Sequence, residues 1–521
     1  MKLEDVRIES GGLTGQWNSE GDVCAFKGVP YARPPLGVLR WCPPQPVQRW
    51  SGSRPALEFG PRCVQPNRPD NAVGYFGPED ESEDCLYLNV WTGAPSAQEK
   101  RPVMVWIHGG GFVLGSGALP IFDGSGLARR GAVVVTMNYR LGRLGFLAHP
   151  DLSAEQQHGT SGNYAMLDQL AVLRWVKTNI AAFGGNADCV TLFGQSAGSS
   201  SVNTLMASPL AKGLFHRAIG QSGGAFFGRI LARLPTAERA GEEFARALGA
   251  QTIGELREMP VRDIQFRRPD EGNIIKDVYD SSDPKGIDRK NGWSIIDGYV
   301  LPGTVMEEFT QARQNDVPLL TGSTADEGST QPPIPTLDEY MRRAQADYGE
   351  MAGDFLRVYP AGSDADAWQN SRKMIGNRIF NWENWTWANL QTQTGSSPVY
   401  FYHFGHVPPK PSQPGRGGDL EASIGSFHTA DIPYVFQTLD VRNWPWRNID
   451  RELADTMARY WVNFASSGNP NGTGLPEWPR YDPARDTTLL FKDGVRVGAT
   501  PDRPALEFWK ALDAKLRREA R

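Results

Sequence analysis

Two continuous apolar runs, "PVMVWI" from Pro102 to Ile107 and "GAVVVTMNY" from Gly131 to Tyr139, have no polar alternation along the chain. That is the pattern of strands buried on both faces of a mostly parallel sheet, since a strand with one wet face would alternate. Between Asn163 and Ile180, "NYAMLDQLAVLRWVKTNI" instead puts Met166, Leu170, Leu173 and either Trp175 or Val176 at helical spacing, and "FGGN" stops it. "CVTLFG" then predicts another short strand. Strand, helix, strand in this rhythm predicts βαβ units and an α/β fold: a mostly parallel central sheet flanked by helices. No repeat and no low-complexity linker divides the 521 residues.

Composition narrows the function classes. Hydrophobic residues at 40% and aromatic residues at 10% argue for a packed globular chain rather than a disordered one. Lys and Arg number 54 against 59 Asp and Glu, without a long basic run, which argues against a nucleic-acid partner. No apolar stretch approaches the roughly 18 residues of a membrane span, and "MKLEDVRIES" lacks the apolar core of a signal peptide. A cytoplasmic protein is therefore expected if Met1 is the natural start; a secreted mature form given an initiating Met would read the same. The five cysteines, Cys24, Cys42, Cys63, Cys85 and Cys189, are too scattered for a disulfide scaffold and include no C-x-x-C, so a zinc site is not expected.

The strand "CVTLFG" runs into Gly194-Gln195-Ser196-Ala197-Gly198, and the same G-x-S-x-G pattern recurs at Gly220-Gln221-Ser222-Gly223-Gly224. A nucleophilic serine on this pattern needs an apolar strand before it, small residues around a strained turn, and a helix starting at once. Ser196 has all three. Ser222 follows the weaker run "HRAIG" and precedes two glycines, so it reads as a turn residue or as support behind the nucleophile. A serine nucleophile also needs a base, an orienting carboxylate and donors for an oxyanion. The glycines Gly109, Gly110 and Gly111 follow a buried strand in "VWIHGGGF", where bare backbone N–H groups can converge on one oxygen, joined by the N–H of Ala197.

With the order serine, acid, histidine, only His403, His406 and His428 of the seven histidines lie far enough along the chain. His403 sits inside the strand-like "PVYFYHF" and His406 follows it at once. His428, on a loop in "GSFHTADIPYVF", is better placed to reach over a sheet edge. For the acid, the apolar run in "VPLLTGSTADEGS" leads to Asp326 and Glu327, and spacing does not choose between them.

Taken together, "FKGVPYARPPLGVLRW", "SEDCLYLNVW", "HGGGF", "NYAMLDQLAVLRWVKTNIAAFGGN", "FGQSAG", "ADEGS" and "HTADIPYVF", in this order, resemble the type B carboxylesterases, the α/β-hydrolases that include carboxylesterases, para-nitrobenzyl esterases and cholinesterases. The resemblance implies one α/β-hydrolase domain over residues 1–521, with helical cap insertions roughly within 225–390. It implies Ser196 as nucleophile, Glu327 as the acid, His428 as base, and Gly110, Gly111 and Ala197 as the oxyanion hole. It also implies a pairing of Cys63 with Cys85, which a reducing cytoplasm would leave as thiols. Ser222 falls where the family keeps a second serine hydrogen-bonded behind the triad.

The chain departs from many relatives at Gln195, where they carry Glu before the nucleophile. A neutral residue there tilts the expectation toward uncharged esters, since a cationic choline ester would lose an attraction. "GGNA" (Gly184 to Ala187) for the family's "GGDP" alters only a surface turn. The segment "FNWENWTWAN", with three tryptophans in six residues, reads as core of a cap or as the wall of an apolar pocket. The expected activity is that of a serine esterase acting through an acyl-enzyme on small ester substrates, with no metal or organic cofactor. Its rivals are a non-catalytic adhesion member of the same fold and a more specialised choline-ester or lipase-like hydrolase.

Overall fold

A computed structural model describes residues 3–66, 80–226, 231–266, 293–410 and 425–519. The strands, in chain order, are β1 (Asp5–Ile8), β2 (Gly11–Thr14), β3 (Gln16–Trp17), β4 (Cys24–Pro30), β5 (Ser53–Pro55), β6 (Tyr87–Thr92), β7 (Arg101–Ile107), β8 (Val133–Met137), β9 (Gly185–Gln195), β10 (Arg217–Gln221), β11 (Leu319–Thr324), β12 (Val399–Phe404), β13 (Thr487–Phe491) and β14 (Val495–Ala499). Eleven of them form one sheet in the order β14-β13-β12-β11-β10-β9-β7-β8-β6-β4-β3, and β1, β2 and β5 form a small separate one. From β8 through β13 every neighbouring pair is parallel, while the two margins are antiparallel. This is the mixed, largely parallel sheet of an α/β-hydrolase.

The apolar runs are continuous because both faces of the sheet are covered. In β7, Val103, Val105 and Ile107 join one core, while Met104 and Trp106 between them join another. β8 repeats the division, with Val133, Val135 and Met137 on one side and Val134 on the other. The Tyr164–Asn179 helix supplies Met166, Leu170 and Leu173 to the first core. The Asn448–Ser467 helix supplies Met457, Trp461 and Phe464 to the second. Successive strand residues point to opposite sides, so two-sided coverage demands apolar residues at every position. No described helix is long and apolar enough to cross a membrane.

Parallel strands place their carboxyl ends along one edge, and short loops there carry the polar residues singled out above. β9 ends at Gln195, β10 at Gln221 and β11 at Thr324, with Gln221 in register with Gln195 on one side and Gly322 on the other. The expected cap range is described only in part, because 227–230 and 267–292 lie outside the described residues. Within it, the Trp382–Thr394 helix buries Trp382, Trp385 and Trp387, and Trp387 lies directly over Gly220 of β10. All three tryptophans belong to the core on that side of the sheet.

One buried ion pair fastens the sheet to its first covering helix. Arg140, just past β8, makes a two-pronged contact with Asp168 of the Tyr164–Asn179 helix, Nε to Oδ2 at 2.8 Å and Nη2 to Oδ1 at 2.7 Å. Removing one partner would strand a buried charge, so Asp168→Ala is expected to cost about 3–5 kcal/mol. Urea denaturation checks this: the paired change Arg140→Met with Asp168→Leu should recover much of the loss, because no charge is then left buried.

Candidate active site

Ser196 stands at a strained corner between β9 and the Ala197–Ala207 helix, with φ 57° and ψ −126°. The strain persists because the turn has nowhere to relax: a Cβ on Gly198 would lie 2.0 Å from the carbonyl oxygen of Ile107, at the end of β7. Only glycine permits helix and strand to approach so closely. Ser196 is 9% exposed and begins a helix whose N–H groups face the same edge. Ser222 sits at a second positive-φ corner, φ 54°, at the end of β10, but it is fully buried and no helix follows it.

The loop after β7 is the other half of the corner. Gly110 and Gly111 have φ 114° and 61°, and the carbonyl of Gly110 accepts from the N–H groups of Val113 and Leu114 in a tight turn. Its preceding residue, His108, is buried and stacks on Tyr139 with ring centroids 4.4 Å apart, its Nδ1 2.8 Å from the Gly109 oxygen. Burial pushes this imidazole down to about 4, so it is a neutral prop for the glycine loop.

His428 lies on the loop after residue 425, and its Nδ1 is in hydrogen-bond contact with Glu327 Oε2. The second carboxylate oxygen, Oε1, accepts the backbone N–H of Thr324 at 2.8 Å, which fixes the acid at the end of β11. Asp326 is turned the other way: its Oδ2 accepts from the N–H of Ser426, and its own N–H donates back to the Ser426 carbonyl. The neighbour pair that spacing left undecided is thus divided by register, one acid pinning the histidine loop and the other meeting the imidazole. Phe380 packs over the ring of His428 with centroids 4.3 Å apart.

The other histidines are occupied elsewhere. His403 pairs with Ser323 inside the sheet, and desolvation pushes it down to about 4. His406 is buried with Nε2 2.6 Å from Asp450 Oδ1. His216 Nδ1 accepts from the N–H of Val190, His149 caps the Pro150–Ala154 helix, and His158 stacks on Tyr299.

Two residues differ from the resemblance in what they touch. With Glu327 accepting from Nδ1–H, His428 Nε2 carries the lone pair; the Gln195 amide nitrogen lies 3.1 Å from Nε2 and 3.4 Å from Nδ1, off the in-plane axis of that lone pair. Gln195 is 2% exposed, and its amide lies against the imidazole. The Ser222 hydroxyl is buried without a hydrogen-bond partner among the described residues, so the bond expected behind the triad is not made. Cys63 and Cys85 are brought together, both buried and both thiols; the contact with Cys63 and burial push Cys85 well up.

Sequence reading missed a supporting network. Gln221 Nε2 donates to Asp431 Oδ2 at 2.9 Å, Tyr402 OH donates to the same oxygen at 2.8 Å, and Trp461 Nε1 donates to Gln221 Oε1 at 3.3 Å. Burial raises the Asp431 carboxyl above its ordinary range against those two hydrogen bonds, and the nearby Glu327 adds to the rise. The only signal was the apolar setting of an Asp three residues after His428. Phe380 gave none, because its place depends on a π-helical turn over Asn377–Asn381 that no local pattern announces. Among the described residues, no three His, Cys, Asp or Glu side chains converge in a way that could hold a metal ion.

Replacing the Gln195 amide by a carboxylate would favour the imidazolium form of His428 across the same contact. Gln195→Glu is therefore expected to move the acid limb of the kcat/KM profile to higher pH, read on one neutral ester in wild type and variant. An unmoved limb would mean that residue 195 is electrostatically uncoupled from His428.

Comparison with known proteins fits this edge of the sheet. The profile of the Carboxylesterase family matches residues 2–509. The fumonisin B1 esterase of Sphingopyxis macrogoltabida is 37% identical over 506 residues, covering 94% of this chain and 86% of that protein. The para-nitrobenzyl esterase of Bacillus subtilis (strain 168) is 33% identical, covering 96% of this chain and 97% of that one. Among solved structures, a thermophilic PNB esterase superposes with a TM-score of 0.80 at 30% identity, covering 98% of this chain and 100% of that one. Matched across nearly its whole length by profile, sequence and fold, the chain belongs to the carboxylesterase family and is a carboxylic ester hydrolase.

Proposed function

We propose that the enzyme hydrolyses neutral carboxylic esters through an acyl-enzyme on Ser196, with His428 as general base and Glu327 as its orienting acid. The observation that carries this reading is the buried Glu327 carboxylate meeting His428 Nδ1 beside the strained serine corner. Ser196 Oγ attacks the ester carbonyl as its proton passes to His428 Nε2, and the imidazolium is stabilised by Glu327. The N–H groups of Gly110, Gly111 and Ala197 receive the developing oxyanion. Collapse expels the alcohol, which takes the proton from His428; water then attacks the acyl-serine with His428 again as base, releasing the carboxylic acid. The Gln195 amide nitrogen lies within 3.4 Å of both ring nitrogens, off the in-plane axis of the Nε2 lone pair, which leaves that lone pair to Ser196 as the ester binds. The preference for uncharged esters follows from the neutrality of Gln195 and from the burial of the site.

An organophosphate such as diethyl 4-nitrophenyl phosphate is expected to inactivate the enzyme with a single adduct on Ser196, located by peptide mass mapping. An adduct on Ser222 with Ser196 unmodified would reassign the nucleophile. In parallel, His428→Ala should lower kcat/KM by at least about 1,000-fold, whereas His403→Ala, outside the site, should not.

Gly110→Ala tests the oxyanion donors. A Cβ there would come within 2.0 Å of the Leu114 carbonyl oxygen, at a φ that disfavours any side chain. The loop must shift, and kcat is expected to fall about 100-fold or more with KM little changed, because the donors act on the transition state. Steady-state kinetics on a 4-nitrophenyl ester separates the two parameters.

A further inference from the structure

Asn384 lies among the tryptophans of the Trp382–Thr394 helix and is fully buried. A buried amide needs partners for its donors and its acceptor, and this one finds them at the end of β10. Its Oδ1 accepts the N–H of Gly223 at 2.8 Å, and its Nδ2 lies 3.2 Å from the Gly220 carbonyl oxygen. One side chain thus brackets the positive-φ corner at Ser222 on both sides, from 161 residues further along the chain. The same Nδ2 is 2.7 Å from Oγ1 of Thr321, which ties the amide to β11.

The bracketed segment in turn fixes both peptide planes of the nucleophile. The carbonyl of Gln221 accepts the Ser196 N–H at 2.9 Å, which sets the peptide before the serine. The peptide after it presents its oxygen to Gly223, where a Cβ would lie 2.5 Å from the Ser196 carbonyl oxygen. Since φ and ψ are the rotations that relate those two planes, residues 221–223 enforce the strained pair of 57° and −126°. The effect reaches the chemistry, because the Ser196 carbonyl and the Ala197 N–H belong to one planar peptide. An oxygen that cannot swing keeps that N–H aimed. The N–H of Ser200 holds the same oxygen at 2.9 Å, and the Ser199 hydroxyl donates to the Gly223 carbonyl at 2.6 Å, but both ride on the nucleophile's own helix. Asn384 holds the segment from outside it.

We propose that Asn384 is a positioning residue for ester hydrolysis: by bracketing the Ser222 corner it locks the Ser196–Ala197 peptide, and with it the aim of the Ala197 N–H at the developing oxyanion. The proposal rests on Ser196 as nucleophile and Ala197 as an oxyanion donor. Buried behind the corner, Asn384 acts on the reaction only through that peptide, so its effect falls on the transition state.

The test compares wild type with Asn384→Ala, Gly223→Ala and Trp385→Leu, using a 4-nitrophenyl ester and heptyl trifluoromethyl ketone. Ser196 Oγ adds to the ketone carbonyl, the serine proton passes to His428, and the ketone oxygen becomes an oxyanion facing the same donors, so its inhibition constant reads transition-state stabilisation. In Asn384→Ala, kcat/KM should fall about tenfold and the inhibition constant rise in parallel, a part of the roughly 100-fold that loss of a whole donor costs. The alcohol made by reducing the ketone forms no oxyanion and should bind within about twofold of its wild-type affinity. Gly223→Ala pushes on the Ser196 oxygen without removing a buried hydrogen bond and should give the same pattern, so a poorly folding Asn384→Ala does not shield the proposal. Trp385→Leu is the packing control: the guanidinium of Arg503 lies 4.8 Å from that ring, and losing the contact should lower the urea midpoint with the inhibition constant unchanged. Inhibition constants within about twofold of wild type in folded Asn384→Ala or in Gly223→Ala, or an equal rise in Trp385→Leu, would overturn the proposal. Two other results strike the reading beneath it instead: hydrolysis surviving in Ser196→Ala, or an inhibition constant unmoved by Gly110→Ala. The two kinds of failure are therefore distinguishable.

Discussion

The site depends on one close approach, that of Gly198 to the carbonyl of Ile107. There is no room for a side chain between them, and the two backbones in contact are the start of the helix after Ser196 and the end of β7. Were this gap wider, the corner at Ser196 could relax into an ordinary loop, and the serine would lose its fixed place against the glycine loop that continues from β7. The strain at Ser196 is maintained by packing that is itself unstrained: β9 is clasped between β7 and β10 in parallel register, with apolar side chains buried on both faces.

From that fixed corner, register does the rest. Parallel pairing carries the ends of β9, β10 and β11 to one edge, so three loops far apart in the chain deliver Ser196, Ser222 and Glu327 side by side. The acid is held by the Thr324 N–H before it meets His428, which makes the orientation of the imidazole a property of β11 as much as of the histidine's own loop. The histidine loop is in turn fastened by Asp326 through Ser426 and by Asp431 through Gln221 and Tyr402. Neighbouring acids on the chain thus divide the work, one holding the loop and the other touching the ring.

In the middle of the site a neutral side chain lies against the histidine: the Gln195 amide nitrogen is 3.1 Å from His428 Nε2 and 3.4 Å from Nδ1, off the in-plane axis of either ring nitrogen. A neutral amide beside the ring is compatible with both protonation states of the imidazole. A carboxylate at the same place would favour one of them.

The sequence by itself determined what short-range patterning can encode. Unbroken apolar runs meant strands covered on both faces, helical spacing marked Tyr164–Asn179, and glycine spacing around Ser196 and after Ile107 announced backbone corners that side chains would forbid. His428 stood out because it lay between a glycine-rich segment and an apolar one, whereas His403 sat inside a strand-like run and His406 followed that run at once. What only the tertiary structure decided is which atoms meet. Asp326 and Glu327 are adjacent and chemically alike, yet their side chains diverge according to the turn at the end of β11. Gln195 faces His428 across 233 residues of chain, Phe380 reaches the same ring through a π-helical turn, and the Ser222 hydroxyl is buried with no hydrogen-bond partner among the described residues. Such contacts join residues distant along the chain and are set by register, loop path and side-chain direction, none of which leaves a periodic trace in a single sequence.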